Sequence, residues 1–129
     1  MSYEEKSTEN KMVAKKCLDI KAYNAGVTRA YYSAFLHIKS FLIKNKFDYR
    51  AFLQSYKPED REFSHGTLRP AVVKCLMDRG KKPIDVYGLS VISNMYEKRR
   101  IADYEREDIL ESELKTCLDN LEAVLLIVS

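Results

Sequence analysis

The chain is poor in the residues that make turns: its 129 residues include only four glycines and three prolines. A β-sandwich or barrel turns every ~8–12 residues and uses both residues to do so, so the composition argues against an all-β fold and towards helices. No uncharged stretch approaches the ~18–20 apolar residues of a membrane span. Residues 1–11 are polar and carry three glutamates (Glu4, Glu5 and Glu9), unlike a secretory signal. The expectation is one cytoplasmic domain with no membrane partner. The three cysteines, Cys17, Cys75 and Cys117, are widely separated and form no C-x-x-C pair, which leaves a zinc site or redox dithiol unsupported. Each falls at an apolar-periodic position and reads as a small buried hydrophobe. The single Glu-x-x-His, Glu62 to His65, lacks the second copy that helical metal proteins use, so no metal or cofactor is expected.

Hydrophobic residues make up 46% and charged residues 32%, a globular balance. The net charge of +3 is unevenly spread. Residues 11–46 hold eight Lys/Arg and one acid, whereas residues 103–122 hold eight acids and two bases. Such segregation either steers an anionic partner to one face or places two oppositely charged helices side by side.

Apolar periodicity predicts about five helices in an all-α, up-and-down antiparallel bundle. The first starts near Ser7 or Thr8 and carries Val13, Ala14, Cys17, Leu18 and Ile20, with a bend expected around Tyr23 to Gly26. The second has the broadest stripe: Val27, Ala30, Tyr31, Ala34, Phe35, Ile38, Phe41 and Leu42, wide enough for two neighbours. Residues 45–63 have no clean period and read as a long loop with one helical turn at Tyr49 to Tyr56. The third helix starts between Ser64 and Thr67, tolerates Pro70 near its beginning and stops at Gly80. Asp85 is placed as the cap of the fourth, with Leu89, Ile92, Met95 and Tyr96 inward. The fifth runs from about Asp108 through Leu110, Leu114, Cys117, Leu118, Leu121, Val124, Leu125 and Val128.

The end of the fourth helix changes character. In Tyr96-Glu97-Lys98-Arg99-Arg100-Ile101-Ala102-Asp103-Tyr104, positions 96, 99, 100, 103 and 104 share one broad side of a helix. Asp103 can pair with Arg99 or Arg100 and fix a guanidinium, and Tyr104 offers a hydroxyl and a stacking ring. The plainer reading is a solvated helix end laced with ion pairs. Tyr31 falls on the apolar stripe and reads as core. Tyr32 points roughly 100° away, towards the fourth helix and Arg99. His37 reads as a packing residue. His65, beside Ser64 and Gly66, either orients a helix start or meets Arg99 and Tyr104 and supplies an acid–base group.

Arg29-Ala30-Tyr31-Tyr32-Ser33-Ala34-Phe35 resembles the second-helix signature of HEPN domains. Tyr96-x-x-Arg99-x-x-Ala102-Asp103-Tyr104 is similar to their fourth-helix signature, and Ser64-His65-Gly66 also recurs in that family. The resemblance covers about residues 8–128. It implies a helical bundle, usually a symmetric homodimer. Many family members are metal-independent ribonucleases of toxin–antitoxin, CRISPR and phage-defence systems, often paired with a small nucleotidyltransferase antitoxin. Their catalytic arginine and histidine stand four to six residues apart, and two copies meet across the dimer. Arg99 matches the arginine, but Tyr104 stands where the histidine would be, and no histidine follows Arg99. A phenol of pKa ~10 is a poor acid–base group at neutral pH, although a guanidinium alone can stabilise phosphorane-like charge.

By this resemblance Arg99, Tyr104 and Asp103 are the candidate catalytic residues, and Arg100, Tyr32, Arg29 and His65 the candidate RNA- or nucleotide-binding residues. Two functions follow: an RNA-binding or RNA-cleaving dimer, or a non-catalytic module that binds a protein partner or a nucleotide. The resemblance also puts Tyr104 where nucleotidyltransferase partners attach nucleotides to a toxin tyrosine.

Overall fold

The computed structural model describes residues 1–60, 62 and 64–129; Arg61 and Phe63, at the end of the expected loop, lie outside the described residues. It is all-α, with no strand among the described residues. The helices are α1 (Tyr3–Asp19), α2 (Tyr23–Lys44), α3 (Tyr49–Tyr56), α4 (His65–Asp78), α5 (Pro83–Val86), α6 (Val91–Tyr104) and α7 (Glu111–Ile127), with a 3₁₀ turn at Tyr87–Ser90 between α5 and α6. The five expected helices correspond to α1, α2, α4, α6 and α7. The helical turn expected at Tyr49 to Tyr56 is α3.

Helix α2 is the hub, packing against α1, α4, α6 and α7. Its stripe is buried at Val27, Ala30, Tyr31, Ala34, Ile38 and Leu42. Side-chain pairings give the helix directions. Ser7 meets Ser33 while Cys17 meets Gly26, so α1 and α2 are antiparallel. Thr28 meets Asp103 and Tyr32 meets Arg99, so α6 is antiparallel to α2. Gly26 meets Leu114 and His37 meets Val128, so α7 runs parallel to α2. The result is an up-down-up-down bundle of α1, α2, α6 and α7, with α3 and α4 laid against one side. A Cβ at Gly26 would sit 2.6 Å from a Leu114 methyl and 3.1 Å from the Cys17 Cβ, so glycine permits this three-helix approach.

A polar pair is locked into the α1–α2 seam. Ser7 Oγ donates to the Ser33 carbonyl at 2.6 Å and Ser33 Oγ donates to the Ser7 carbonyl at 2.8 Å, both side chains being buried. Ser7 is thus core rather than cap. The cap is Ser2, whose hydroxyl accepts from Glu5 N, and the helix starts four residues earlier than Ser7 suggested. The bend also moves: it falls at residues 20–22, and Tyr23 to Gly26 form the first turn of α2. Asp85 caps α5 by accepting from Lys82 N at 3.1 Å, not α6, because a 3₁₀ turn separates the two. Helix α7 starts at Glu111. Asp108 precedes it in a segment that Asn24 holds by accepting from Ile109 N at 2.9 Å. Leu110, expected in the α7 stripe, is exposed, as is Ile20 after α1.

The oppositely charged segments lie side by side: Glu122 of α7 receives Lys11 at 2.7 Å and Lys15 at 3.8 Å from α1. Cys17, Cys75 and Cys117 are free and buried, and burial pushes the Cys117 thiol up to about 11. His37 hydrogen-bonds the Val128 carbonyl, as a packing histidine would. Both chain ends meet the C-terminal half of α2, Glu4 through Lys44 and Val128 through His37.

Three helices end in the same backbone motif. After α4, Lys81 N bonds to Leu76 O and Gly80 N to Met77 O, both at 3.0 Å, with Gly80 at φ +96°. After α1 the equivalent bonds run from Ala22 to Cys17 and from Lys21 to Leu18, and after α2 from Phe47 to Leu42 and from Lys46 to Ile43. There the left-handed position is held by Lys21 (φ 60°) and Lys46 (φ 54°), where glycine is the unstrained choice. Lys46→Gly should therefore raise unfolding free energy by about 0.5 kcal/mol, the relief of the Cβ contact outweighing the added chain entropy; urea denaturation measures this. Ser33→Ala, which removes one side-chain hydrogen bond from the buried seam while the Ser7 carbonyl keeps its helical donor, should lower it by ~0.5–1.5 kcal/mol in the same assay.

Candidate functional site

The antiparallel crossing of α2 and α6 sets one helical turn against another. Thr28 and Tyr32 are one turn apart on α2, and Asp103 and Arg99 one turn apart on α6. Thr28 Oγ1 donates to Asp103 Oδ1 at 2.8 Å, and Arg99 Nη2 donates to the Tyr32 hydroxyl at 2.9 Å. Asp103 Oδ2 lies 3.0 Å from Arg99 Nε within α6, closing a four-residue ring. That last contact is an ion pair without a directed hydrogen bond: the buried Nε–H is not aimed at the oxygen and has no hydrogen-bond partner among the described residues.

The Arg99 guanidinium is flanked by two rings, with its central carbon 5.4 Å from the Tyr32 centroid and 5.6 Å from that of Tyr104, within cation–π range. Its side chain is 18% exposed, whereas Tyr104 is 70% exposed, so the charge is recessed beneath a solvent-facing phenol. Desolvation, the largest influence on Arg99, works against its charge. Tyr32, Asp103, Tyr104 and Tyr31 outweigh it and hold the pKa above the ordinary arginine value. The guanidinium stays cationic and is oriented by Tyr32 from α2 and by Asp103 and Tyr104 from its own helix.

Behind this ring sits an aromatic block. Tyr31 is buried, with its ring 5.5 Å from Tyr32 and 5.6 Å from Tyr96. His65, the first residue of α4, stacks on Tyr96 at 3.6 Å with the rings 10° from parallel. Its Nδ1 lies 3.3 Å from the Tyr31 hydroxyl. Burial, and to a lesser extent Arg69, lowers the His65 pKa, so the imidazole is neutral at pH 7. Burial also pushes the Tyr31 phenol well above its usual range, which keeps its proton.

Of the expected residues, Arg99, Asp103, Tyr104 and Tyr32 are brought together. His65 reaches Tyr31 and Tyr96 but contacts neither Arg99 nor Tyr104 among the described contacts. Arg100 pairs with Glu97 at 3.6 Å, off the cluster. Arg29 is exposed and donates to Asn10 of α1 at 3.3 Å, also off the cluster. Thr28 was missed, although its position one turn before Tyr32 on the same face was a usable signal. The Lys98–Glu113 ion pair, which ties α6 to α7 beside the site, was also missed. Among the described residues no three His, Cys, Asp or Glu side chains gather as metal ligands. No family model matches the chain, and no characterised protein matches it.

A histidine whose folded pKa lies below its unfolded value stabilises the fold fully above about pH 6.5, and that contribution is lost as pH falls through the folded pKa. Unfolding free energy should thus decline between pH 7 and pH 5, before the carboxylates titrate, and His65→Gln should flatten the decline. Urea titrations across that interval measure both slopes.

Proposed function

We propose that the protein is a HEPN-like RNA-binding protein that works as a homodimer in a defence or toxin–antitoxin setting, and that it binds RNA without cutting it efficiently. The observation that carries this reading is the Arg99 guanidinium, held by the Tyr32 hydroxyl and flanked by the exposed Tyr104 ring. A recessed, pre-oriented guanidinium suits a phosphate oxygen. An exposed tyrosine beside it suits a stacked base, the usual pairing in single-strand recognition. Asp103 and Thr28 fix the arginine's pose, so their part is positioning.

Cleavage by the RNA 2′-hydroxyl needs a group that exchanges protons near neutral pH. Tyr104 is a poor one, and the nearest imidazole, His65, is engaged by Tyr31 and Tyr96. Charge stabilisation is available in this arrangement, but a matched base is not.

The second reading, a non-catalytic module for a protein partner such as a nucleotidyltransferase, is favoured by the same exposed phenol at Tyr104. The two differ in their response to RNA. Under the first, single-stranded RNA binds with a steep salt dependence, Arg99→Ala weakens binding at least tenfold, and EDTA-treated wild type leaves the RNA intact. Tyr104→His, which places an imidazole at the spacing of the family's motif, should then gain EDTA-resistant cleavage. Absence of RNA binding by the wild type at low salt would remove the RNA reading and leave the module.

A further inference from the structure

A cavity of about 470 Å³ is lined by His65, Arg69 and Pro70 of α4, Val73, Tyr56 at the end of α3 and Ser93 of α6. Among the described residues no carboxylate lines it. Arg69 donates to the Ser93 hydroxyl at 3.3 Å, and no carboxylate lies within ion-pair distance of it among the described residues. This contrasts with Arg99 and Arg100, each of which has an acid on its own helix. The cavity therefore holds a half-buried cation without a countercharge among the described residues.

The tautomer of His65 adds a second donor. The His65 Nδ1 is the one hydrogen-bond partner of the buried Tyr31 hydroxyl among the described residues, so the phenol hydrogen is assigned to that bond and the imidazole accepts at Nδ1. A neutral imidazole that accepts at Nδ1 carries its hydrogen on Nε2. Nε2 has no partner among the described residues, and His65 lines the cavity. Ser93 accepts from Arg69, which leaves its own hydrogen to donate. A guanidinium fork, an imidazole N–H and a hydroxyl O–H thus serve one space. The remaining lining is apolar and aromatic: Pro70, Val73 and the half-exposed Tyr56.

We propose that this cavity binds a phosphate monoester, with its dianionic oxygens on Arg69, His65 Nε2–H and Ser93, and the ring that carries the phosphate against Tyr56. Several donors around one cation match a ligand rich in acceptors and doubly charged, and a flat partner uses the exposed phenol face. Two sources share this chemistry: a free mononucleotide, and the 5′-phosphorylated end of an RNA strand. The site stands on residues separate from Arg99 and does not depend on the RNA reading above.

Isothermal titration of the full chain with uridine 5′-monophosphate and with uridine tests it. The expected result is that the monophosphate binds at least tenfold more tightly than uridine. Arg69→Gln should remove most of that difference, whereas Lys115→Gln, which pairs with Glu111 on α7, should leave it unchanged. Circular dichroism checks that Arg69→Gln is folded, and Ser93→Ala, a smaller change at an exposed position, should weaken binding two- to fivefold. A tetranucleotide with and without a 5′-phosphate identifies the source. Tighter binding of the phosphorylated strand than of the monophosphate assigns an RNA end, and the reverse order assigns the free nucleotide. Equal affinity for monophosphate and uridine, no binding of either, or binding indifferent to both Arg69→Gln and Ser93→Ala would overturn the proposal. Loss on Arg99→Ala alone would move the phosphate to the Arg99 cluster.

Discussion

The polar seam between α2 and α6 constrains everything around it. A guanidinium recessed to 18% exposure is costly to desolvate, and it persists only because Asp103, Tyr32 and the flanking rings compensate. Asp103 needs Thr28 in turn. Two pairings one turn apart fix the register of the helices, since slipping either helix by a residue would separate both at once. Compensated buried ions of this kind add little net stability relative to an apolar seam, but removing one partner leaves the other stranded. The ring therefore acts mainly on geometry: it holds the arginine and the neighbouring tyrosines in one arrangement.

Much of the architecture was legible in the residues. Helix α2 was read from its stripe because a hub must be apolar on more than one side, and a broad face is a strong periodic signal. Helix ends were harder. Gly80 announced its left-handed turn, but Lys21 and Lys46 take the same conformation without announcing it, so the break after α1 was displaced. Ser7 misled because serine serves both as a cap and as a buried partner, and only the tertiary pairing with Ser33 decides which. Asp85 misled because a 3₁₀ turn interrupts what periodicity reads as one helix.

The site was legible where its members share a helix and less so where they do not. Arg99, Asp103 and Tyr104 are neighbours on α6, and Tyr32 followed from the angle between consecutive residues. Arg29 and Arg100 read as equivalent cations from charge alone, yet Asn10 and Glu97 hold them elsewhere. Arg69 carried no signal at all: its isolation from carboxylates is a property of the α3–α4–α6 junction, not of its sequence neighbours. The segregated charges meanwhile found each other across α1 and α7. The sequence's largest electrostatic contrast is thus partly spent within the bundle, and what faces outward is set by local pairs.

Both ends of the chain meet the C-terminal half of α2, through Lys44 and His37. Tyr32 stands twelve residues before Lys44, about 18 Å along the helix axis at 1.5 Å per residue. Glu4, held at Lys44, therefore sits about three turns of helix away from the Arg99 ring, whereas Val128, held at His37 only five residues from Tyr32, sits about one and a half turns away. A tether placed on α1 near Glu4 thus leaves the tyrosine-flanked arginine open to solution.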